Sequence, residues 1–78
     1  MKRYANFGGN SGVREYESGK TFIKVRFRES ADVYVYNARK PGPRHVRRMK
    51  ELAESGSGLS TYIARQVREN YARIEKAE

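Results

Sequence analysis

The chain has 78 residues, which suits one domain with a modest hydrophobic core. It contains no cysteine, which excludes disulfides and thiolate metal ligands, and no stretch approaches the roughly 20 apolar residues of a membrane span. Seventeen lysines and arginines against nine aspartates and glutamates give a formal net charge of +8, which favours an anionic partner. The N-terminus is basic but lacks the apolar run of a secretion signal, so we expect a cytoplasmic protein without membrane contacts.

The chain opens with a segment that has no regular pattern. Gly8-Gly9-Asn10 places three conformational breakers in a row, so we predict a flexible N-terminal arm over residues 1–10. The remaining residues, 11–77, are predicted to form a single domain. Val13 and Tyr16 mark its first short strand, which ends at the turn residues 17–20.

The next two strands have clearer patterns. Residues 21–28 alternate between apolar and basic side chains, which is typical of a half-buried strand. The apolar side chains of one face are Ile23, Val25 and Phe27, and the basic side chains of the other face are Lys24, Arg26 and Arg28. After a turn at residues 29–32, the β-favouring run 33–36 predicts a third strand.

Two helices are predicted after the strands. Pro43 suits the first position of a helix that runs to about Glu54, where the breakers 55–58 stop it. Its apolar face consists of Val46, Met49, Leu52 and Ala53. Ser60 is a suitable N-cap for a second helix to about Lys76. The apolar stripe of that helix is Ile63, Val67, Tyr71 and Ile74.

This order of elements predicts an α+β fold. Strands followed by helices favour a three-stranded antiparallel meander (β-β-β) with the two helices packed on one face. The other face of the sheet is then open to water or to a ligand.

The order of these motifs is similar to that of a known small domain. An Ile-x-Val-x-Phe strand at residues 23–27 precedes Tyr34-x-Tyr36, a helix that begins with proline, and the helical motif Tyr62-Ile63-x-x-x-Val67-Arg68-x-x-Tyr71. In this order and spacing, residues 11 to 74 resemble the KTSC domain. That family is named for its occurrence at the C-terminus of some lysyl-tRNA synthetases, and it also occurs as small stand-alone bacterial proteins. The resemblance implies a bacterial or phage protein and RNA binding.

The chain departs from the family in its connections. The family has Val-Pro soon after Tyr-x-Tyr, whereas residues 37–43 form a longer connection here. The Tyr-Phe-Asn opening of the last helix reads Tyr62-Ile63-Ala64. These differences affect loops more than strands, so they bear on the ligand site more than on the fold.

The first candidate site is the stretch 33–50, which contains no acidic residue. Cations at a helix N-terminus oppose the helix dipole, at a cost of about 0.3–1 kcal/mol each, so their presence at the start of the first helix points to a function. A phosphate bound there would contact both the first-turn N–H groups and the arginines. The predicted anion-binding residues are Arg39, Lys40, Arg44, Arg47 and Arg48, and the stretch also contains His45 and Lys50.

The second candidate site is the basic face of the central strand, formed by Lys24, Arg26 and Arg28. If Tyr34 and Tyr36 face outward beside it, the sheet is a basic surface with stacking rings, as in modules that bind single-stranded RNA. If they face inward, they belong to the core and their hydroxyls need partners. Both arrangements are open at this point, and we expect at least one of the two tyrosines in the core.

The sequence offers little for catalysis. His45 is the only histidine and there is no cysteine, so a zinc or other metal site is not expected. No nucleophile-elbow or triad signature occurs, and Gly56–Ser60 lacks the Gly-Lys-Ser/Thr ending of a P-loop. We therefore predict a protein that is not an enzyme and uses no cofactor, metal or small-molecule substrate.

These patterns lead to one functional expectation and one alternative. The expectation is a small module that binds nucleic acid, RNA more than DNA, through its arginine-rich face. The alternative is a protein–protein adaptor that docks on an acidic partner. Binding to a membrane surface is not expected, because neither helix combines a wide aromatic or leucine face with a basic one.

Overall fold

The sheet is a meander in which the strands neighbour each other in chain order. The computed structural model describes residues 1–7, 9 and 12–76. It contains β1 (Lys2–Arg3), β2 (Val13–Ser18), β3 (Phe22–Phe27), β4 (Val33–Asn37), α1 (Pro43–Ser55), α2 (Leu59–Tyr62) and β5 (Arg73–Glu75). All strand pairs are antiparallel, and α2 continues directly into one π-helical turn, Ile63–Val67. The predicted α+β class is confirmed, and the sheet has five strands among the described residues instead of the predicted three.

Helix α1 follows its sequence pattern closely. Pro43 begins the helix, and Gly56 ends it in the left-handed conformation, with its N–H donating to the carbonyls of Leu52 and Ala53. Val46, Met49 and Ala53 are buried as predicted, and Leu52 is half-buried. Within the described residues, the molecule has no helix with both the length and the apolar character that a bilayer crossing requires.

The core lies between the sheet and the helices. Ile23 and Val25 of β3 are fully buried, and they lie directly opposite Tyr36 and Tyr34 of β4. Since opposite residues of paired strands share a face, both tyrosines are on the helix side of the sheet. Tyr36 is only 1% exposed, which confirms that at least one of the tyrosines belongs to the core. The helices contribute Val46, Met49, Ala53, Leu59, Ile63 and Val67 to the same cluster.

The predicted end of the second helix, at about Lys76, is wrong. The helical conformation stops at Val67, Arg68 has a positive φ of 47°, and residues 73–75 form strand β5 along β4. Tyr71 packs edge-on against Tyr34 at 5.0 Å, and the N–H of Ala72 donates to the carbonyl of Val35 at 2.7 Å. The apolar spacing of residues 63–74 fits a helix, but residues 73–75 instead pair as a strand with the free edge of β4.

The predicted arm is docked where the structure describes it. Residues Lys2 and Arg3 pair with β2, and Tyr4 is 3% exposed, with its hydroxyl accepting a hydrogen bond from the N–H of Leu59 at 3.2 Å. The N–H of Phe7 donates to the carbonyl of Gly56 at 2.8 Å. A two-residue strand and one buried tyrosine produce no periodicity, so the sequence pattern missed this docking. Residues 8, 10, 11 and 77 of the predicted segments lie outside the described residues.

We predict that Gly56→Ala destabilises the protein more than Gly58→Ala. Both glycines have positive φ, which costs an L-residue about 1–2 kcal/mol, but only a Cβ at Gly56 would meet the N-terminal segment, at 2.7 Å from the Cβ of Ala5. At Gly58 the nearest atom is a flexible Leu52 methyl at 3.4 Å. Denaturant unfolding of both variants measures the difference. Equal losses of stability would contradict the docking of residues 1–7 against Gly56.

A second prediction concerns the hydroxyl of Tyr4. Tyr4→Phe leaves the buried N–H of Leu59 without its acceptor, so we expect the free energy of unfolding to fall by about 1–3 kcal/mol. Tyr34→Phe removes a hydroxyl that makes no hydrogen bond in the described part of the chain, and it should cost less than about 0.5 kcal/mol. Thermal and urea unfolding of the two variants test this. Similar effects of both changes would show that the Tyr4 hydroxyl contributes nothing specific.

Candidate nucleic-acid interface

Part of the acid-free stretch 33–50, from the turn after β4 into α1, lies at one end of the domain. At the end of β4 the side-chain Oδ1 of Asn37 accepts hydrogen bonds from the N–H groups of Arg39 and Lys40, both at 3.0 Å. This short turn directly precedes α1, which begins at Pro43. The exposed side chains of Arg39 and Lys40 are therefore held next to the N-terminal half of α1.

The predicted arginines of α1 all face solvent, but they differ in their partners. Arg48 forms an ion pair with Glu51 at 3.3 Å. Arg44 and Arg47 have no ion pair in the described part of the chain. The first turn contains no acidic residue, and Gly42 at the N-cap supplies no side-chain hydrogen bond. The N-terminal end of α1 is thus electrostatically positive and uncompensated.

The structure adds Lys20, which the sequence pattern did not single out. The register pairs Phe22 with Asn37, so the β2–β3 turn lies beside the turn that follows β4. The Nζ of Lys50 donates to the carbonyl of Lys20 at 3.4 Å across a cleft of about 150 Å³. The cleft is lined by Lys20, Thr21, Ala38, Pro43, Val46, Arg47 and Lys50. Only the strand register, and not local sequence, brings Lys20 to this place.

We call this end of the domain the α1 basic surface. It combines cations from the β2–β3 turn, from the turn after β4 and from α1. Its members are Lys20, Arg39, Lys40, Arg44, Arg47 and Lys50. Five of the six are exposed, and Lys50 is half-buried.

The second candidate site is different, because carboxylates neutralise two of its three cations, Lys24 and Arg26. The third, Arg28, directly follows β3, is exposed and has no ion pair among the described residues. Lys24 and Arg26 do face away from the helices, as predicted, but Arg26 forms an ion pair with Glu15. The Nζ of Lys24 lies 3.3 Å from Glu75, whose carboxylate also pairs with Arg73 at 3.1 Å. These charges stabilise strand pairing and are not free for a ligand.

Of the two arrangements open for Tyr34 and Tyr36, the structure has the inward one, so the rings form no stacking surface beside Lys24 and Arg26. Tyr34 and Tyr36 lie on the helix side, whereas Val33 and Val35 share the outer face with Lys24 and Arg26. The two valines are 8% and 2% exposed because charged residues of β3 and β5 flank them. Burial raises the pKa of the Tyr36 hydroxyl, and the neighbouring Tyr34 and Tyr71 raise it further, so this group stays protonated.

His45 has a structural contact. Its Nδ1 lies 2.7 Å from the hydroxyl of Tyr62, which links α1 to α2. No group of three or more histidine, aspartate or glutamate side chains in the described ranges could hold a metal ion.

Comparison of the chain with family models, with curated proteins and with solved structures gives no match. The resemblance to the KTSC domain therefore stays a prediction that depends on the motifs of the sequence.

We predict that Glu75 makes stability sensitive to acid. Hydrogen bonds from Arg73 and then from Lys24 lower the pKa of the Glu75 carboxyl below its ordinary value. A lowered folded-state pKa contributes stability above the unfolded-state pKa, and this contribution is lost as the pH falls through the folded-state value. Urea unfolding between about pH 2 and pH 6 should therefore show a weaker acid dependence in Glu75→Gln than in the parent protein.

The matched control is Glu54→Gln. Glu54 is exposed on α1 and makes no ion pair among the described residues. This variant should keep the acid profile of the parent. A Glu75→Gln profile that coincides with those of the parent and the control would contradict the role given to the Lys24–Glu75–Arg73 cluster.

Proposed function

We propose that the protein is a small nucleic-acid-binding module whose α1 basic surface contacts the phosphate backbone. The observation that supports this most directly is the convergence of six cations from three separate chain segments. None of the six forms an ion pair in the described part of the chain. Such a surface attracts phosphates and releases their counterions on binding.

The energetics support a ligand over a structural role. Like charges on one surface repel, and basic residues at a helix N-terminus oppose the helix dipole. The surface arginines Arg44 and Arg47 therefore cost the isolated fold free energy. A backbone phosphate near the start of α1 would offset both the repulsion between the cations and their unfavourable interaction with the helix dipole. It would accept hydrogen bonds from the arginines and from first-turn N–H groups.

The outer face of the sheet supplies a contrast within the same molecule. There, Lys24 and Arg26 each form an ion pair with a glutamate. Basic residues that serve the fold are thus neutralised, whereas those of the α1 basic surface are not. We propose RNA over DNA because of the resemblance to the KTSC domain, and the cytoplasm stays the expected location.

Salt titration tests this proposal. We expect the purified, nuclease-treated protein to bind labelled single-stranded RNA with log K falling against log salt at a slope of about −3 to −4, which corresponds to roughly 4–6 phosphate contacts at about 0.7 per contact. Duplex DNA, measured in parallel, should bind more weakly. Arg44→Gln/Arg47→Gln removes two contacts, so the slope for single-stranded RNA should become shallower by about 1.4.

Two control variants locate the site. Arg65→Gln removes an exposed charge from the π-helical turn, and Lys24→Gln removes a charge from the sheet. Both should keep the slope of the parent. A slope reduced by Lys24→Gln but not by the α1 double variant would move the interface to the sheet. Absence of salt-dependent binding to both RNA and DNA at low ionic strength would overturn the proposal, and an acidic peptide would then be the next ligand to titrate.

A further inference from the structure

A second concave surface lies at the opposite end of β3 from the α1 basic surface. It is a cleft of about 500 Å³ whose lining includes Arg3, Arg14 and Arg28, which come from three different strands or strand ends. Arg3 is the last residue of β1, Arg14 lies within β2 and Arg28 directly follows β3. We call it the arginine cleft. The remaining lining residues are Tyr4, Ala5, Asn6 and Val13.

A β-bulge helps to build the arginine cleft. Val13 pairs with Phe27 but Glu15 pairs with Arg26, so Arg14 is an extra residue in β2. Bulges of this kind redirect a side chain and are frequent beside functional sites. The carbonyl of Arg14 accepts a hydrogen bond from the N–H of Tyr4 at 3.0 Å. The bulge is therefore held in place by the docked N-terminal segment.

The lining of the arginine cleft is anchored in the core. Tyr4 and Val13, two of its residues, are 3% and 1% exposed and belong to the hydrophobic cluster. The N–H of Arg28 donates to the carbonyl of Gly12 at 2.7 Å, which joins the end of β3 to the start of β2. The three guanidinium groups are thus carried by backbone that is fixed on both sides of the cleft.

Among the described residues, no carboxylate lines the arginine cleft. Glu15, which lies opposite Arg3 in the register, forms its ion pair with Arg26 instead. Glu29 follows Arg28 in the chain but lines a different cleft, beside Arg68 and Tyr71. None of the three arginines has an ion pair within the described ranges. Because guanidinium groups stay charged at all physiological pH values, the cleft presents three uncompensated positive charges.

We propose that the arginine cleft binds a phosphate monoester, the group found at the end of a nucleic-acid strand or on a nucleotide. Such a group has a charge of about −1.5 to −2 at neutral pH and three acceptor oxygens, which suits three guanidinium forks better than a singly charged backbone phosphodiester does. The site is separate from the α1 basic surface, and it would exist whether or not that surface binds nucleic acid.

NMR titration with inorganic phosphate, at an ionic strength held constant with chloride, tests the site. We expect saturable shifts of the backbone and side-chain N–H signals of Arg3, Arg14 and Arg28. Arg14→Gln should weaken the affinity about tenfold or more, and Arg14→Lys should weaken it too, because lysine retains the charge but loses the bidentate geometry. Arg65→Gln, an equal change of charge at an exposed position, should leave it unchanged. Thermal unfolding checks that each variant is folded.

Oligonucleotides identify the source of the phosphate. If strand ends are the ligand, a 5′-phosphorylated RNA should bind the parent more tightly than the same RNA with a 5′-hydroxyl, and Arg14→Gln should abolish this difference. If adenosine monophosphate saturates the cleft while the two RNAs bind equally, the ligand is a free nucleotide. Arginine signals that respond to phosphate no more than to chloride would overturn the proposal.

The two proposals fail independently. Arg44→Gln/Arg47→Gln should change the salt slope for RNA while inorganic phosphate still saturates the arginine cleft. Arg14→Gln should weaken the binding of inorganic phosphate while the salt slope for RNA stays that of the parent. Loss of phosphate binding in the α1 double variant would show that the phosphate binds at α1, which would contradict the assignment to the cleft.

Discussion

The pairing register between β3 and β4 determines the face on which each side chain of the sheet lies. Ile23 is opposite Tyr36 and Val25 is opposite Tyr34, so the aromatic rings of β4 join the apolar side chains of β3 under the helices. There Tyr34 and Tyr36 make edge-on contacts with Tyr71, at ring distances of 5.0 and 6.3 Å. A shift of one residue would exchange tyrosines and valines between the two faces and would expose the rings.

The same register decides which cations are available to a ligand. With Val33 and Val35 on the outer face, the fold needs side chains that cover the valines and still face water. Lys24 and Arg26 do this with their alkyl stems, and their charged ends are paired with Glu75 and Glu15. Glu15 and Glu75 are therefore used within the sheet. The α1 basic surface and the arginine cleft, at the two ends of β3, have no such carboxylate partner among the described residues.

Elements with a strong internal period were predictable from sequence. The alternation of residues 23–28 and the helical spacing from Val46 to Ala53 each imply one buried face, and both predictions are confirmed. The spacing of Tyr71 and Ile74 fits a helix, whereas pairing with the edge of β4 makes Arg73–Glu75 a strand. β1 is too short to have a period, and its docking depends on Tyr4 and Gly56, which are far apart in sequence.

The candidate sites also differ in how far the sequence alone predicts them. The acid-free stretch 33–50 is contiguous, so its arginines were visible in the sequence, whereas Lys20 reaches them only through the register of β3 and β4. The neutralisation of Lys24 by Glu75 joins residues that are 51 positions apart, and no local pattern indicates it. Arg3, Arg14 and Arg28 are likewise scattered, and a bulge and a two-residue strand bring them together.

The separation of the two positive ends has a consequence for a long anionic ligand. β3 has six residues, so the ends are roughly 20 Å apart at about 3.3 Å per residue. This distance is well beyond the Debye length of about 8 Å at physiological ionic strength, so each end attracts phosphates on its own. The sheet surface between them is lined by ion pairs and adds little attraction. A nucleic-acid strand long enough to reach both ends of the domain would gain affinity by linking two contacts, whereas a shorter one would bind at either end alone.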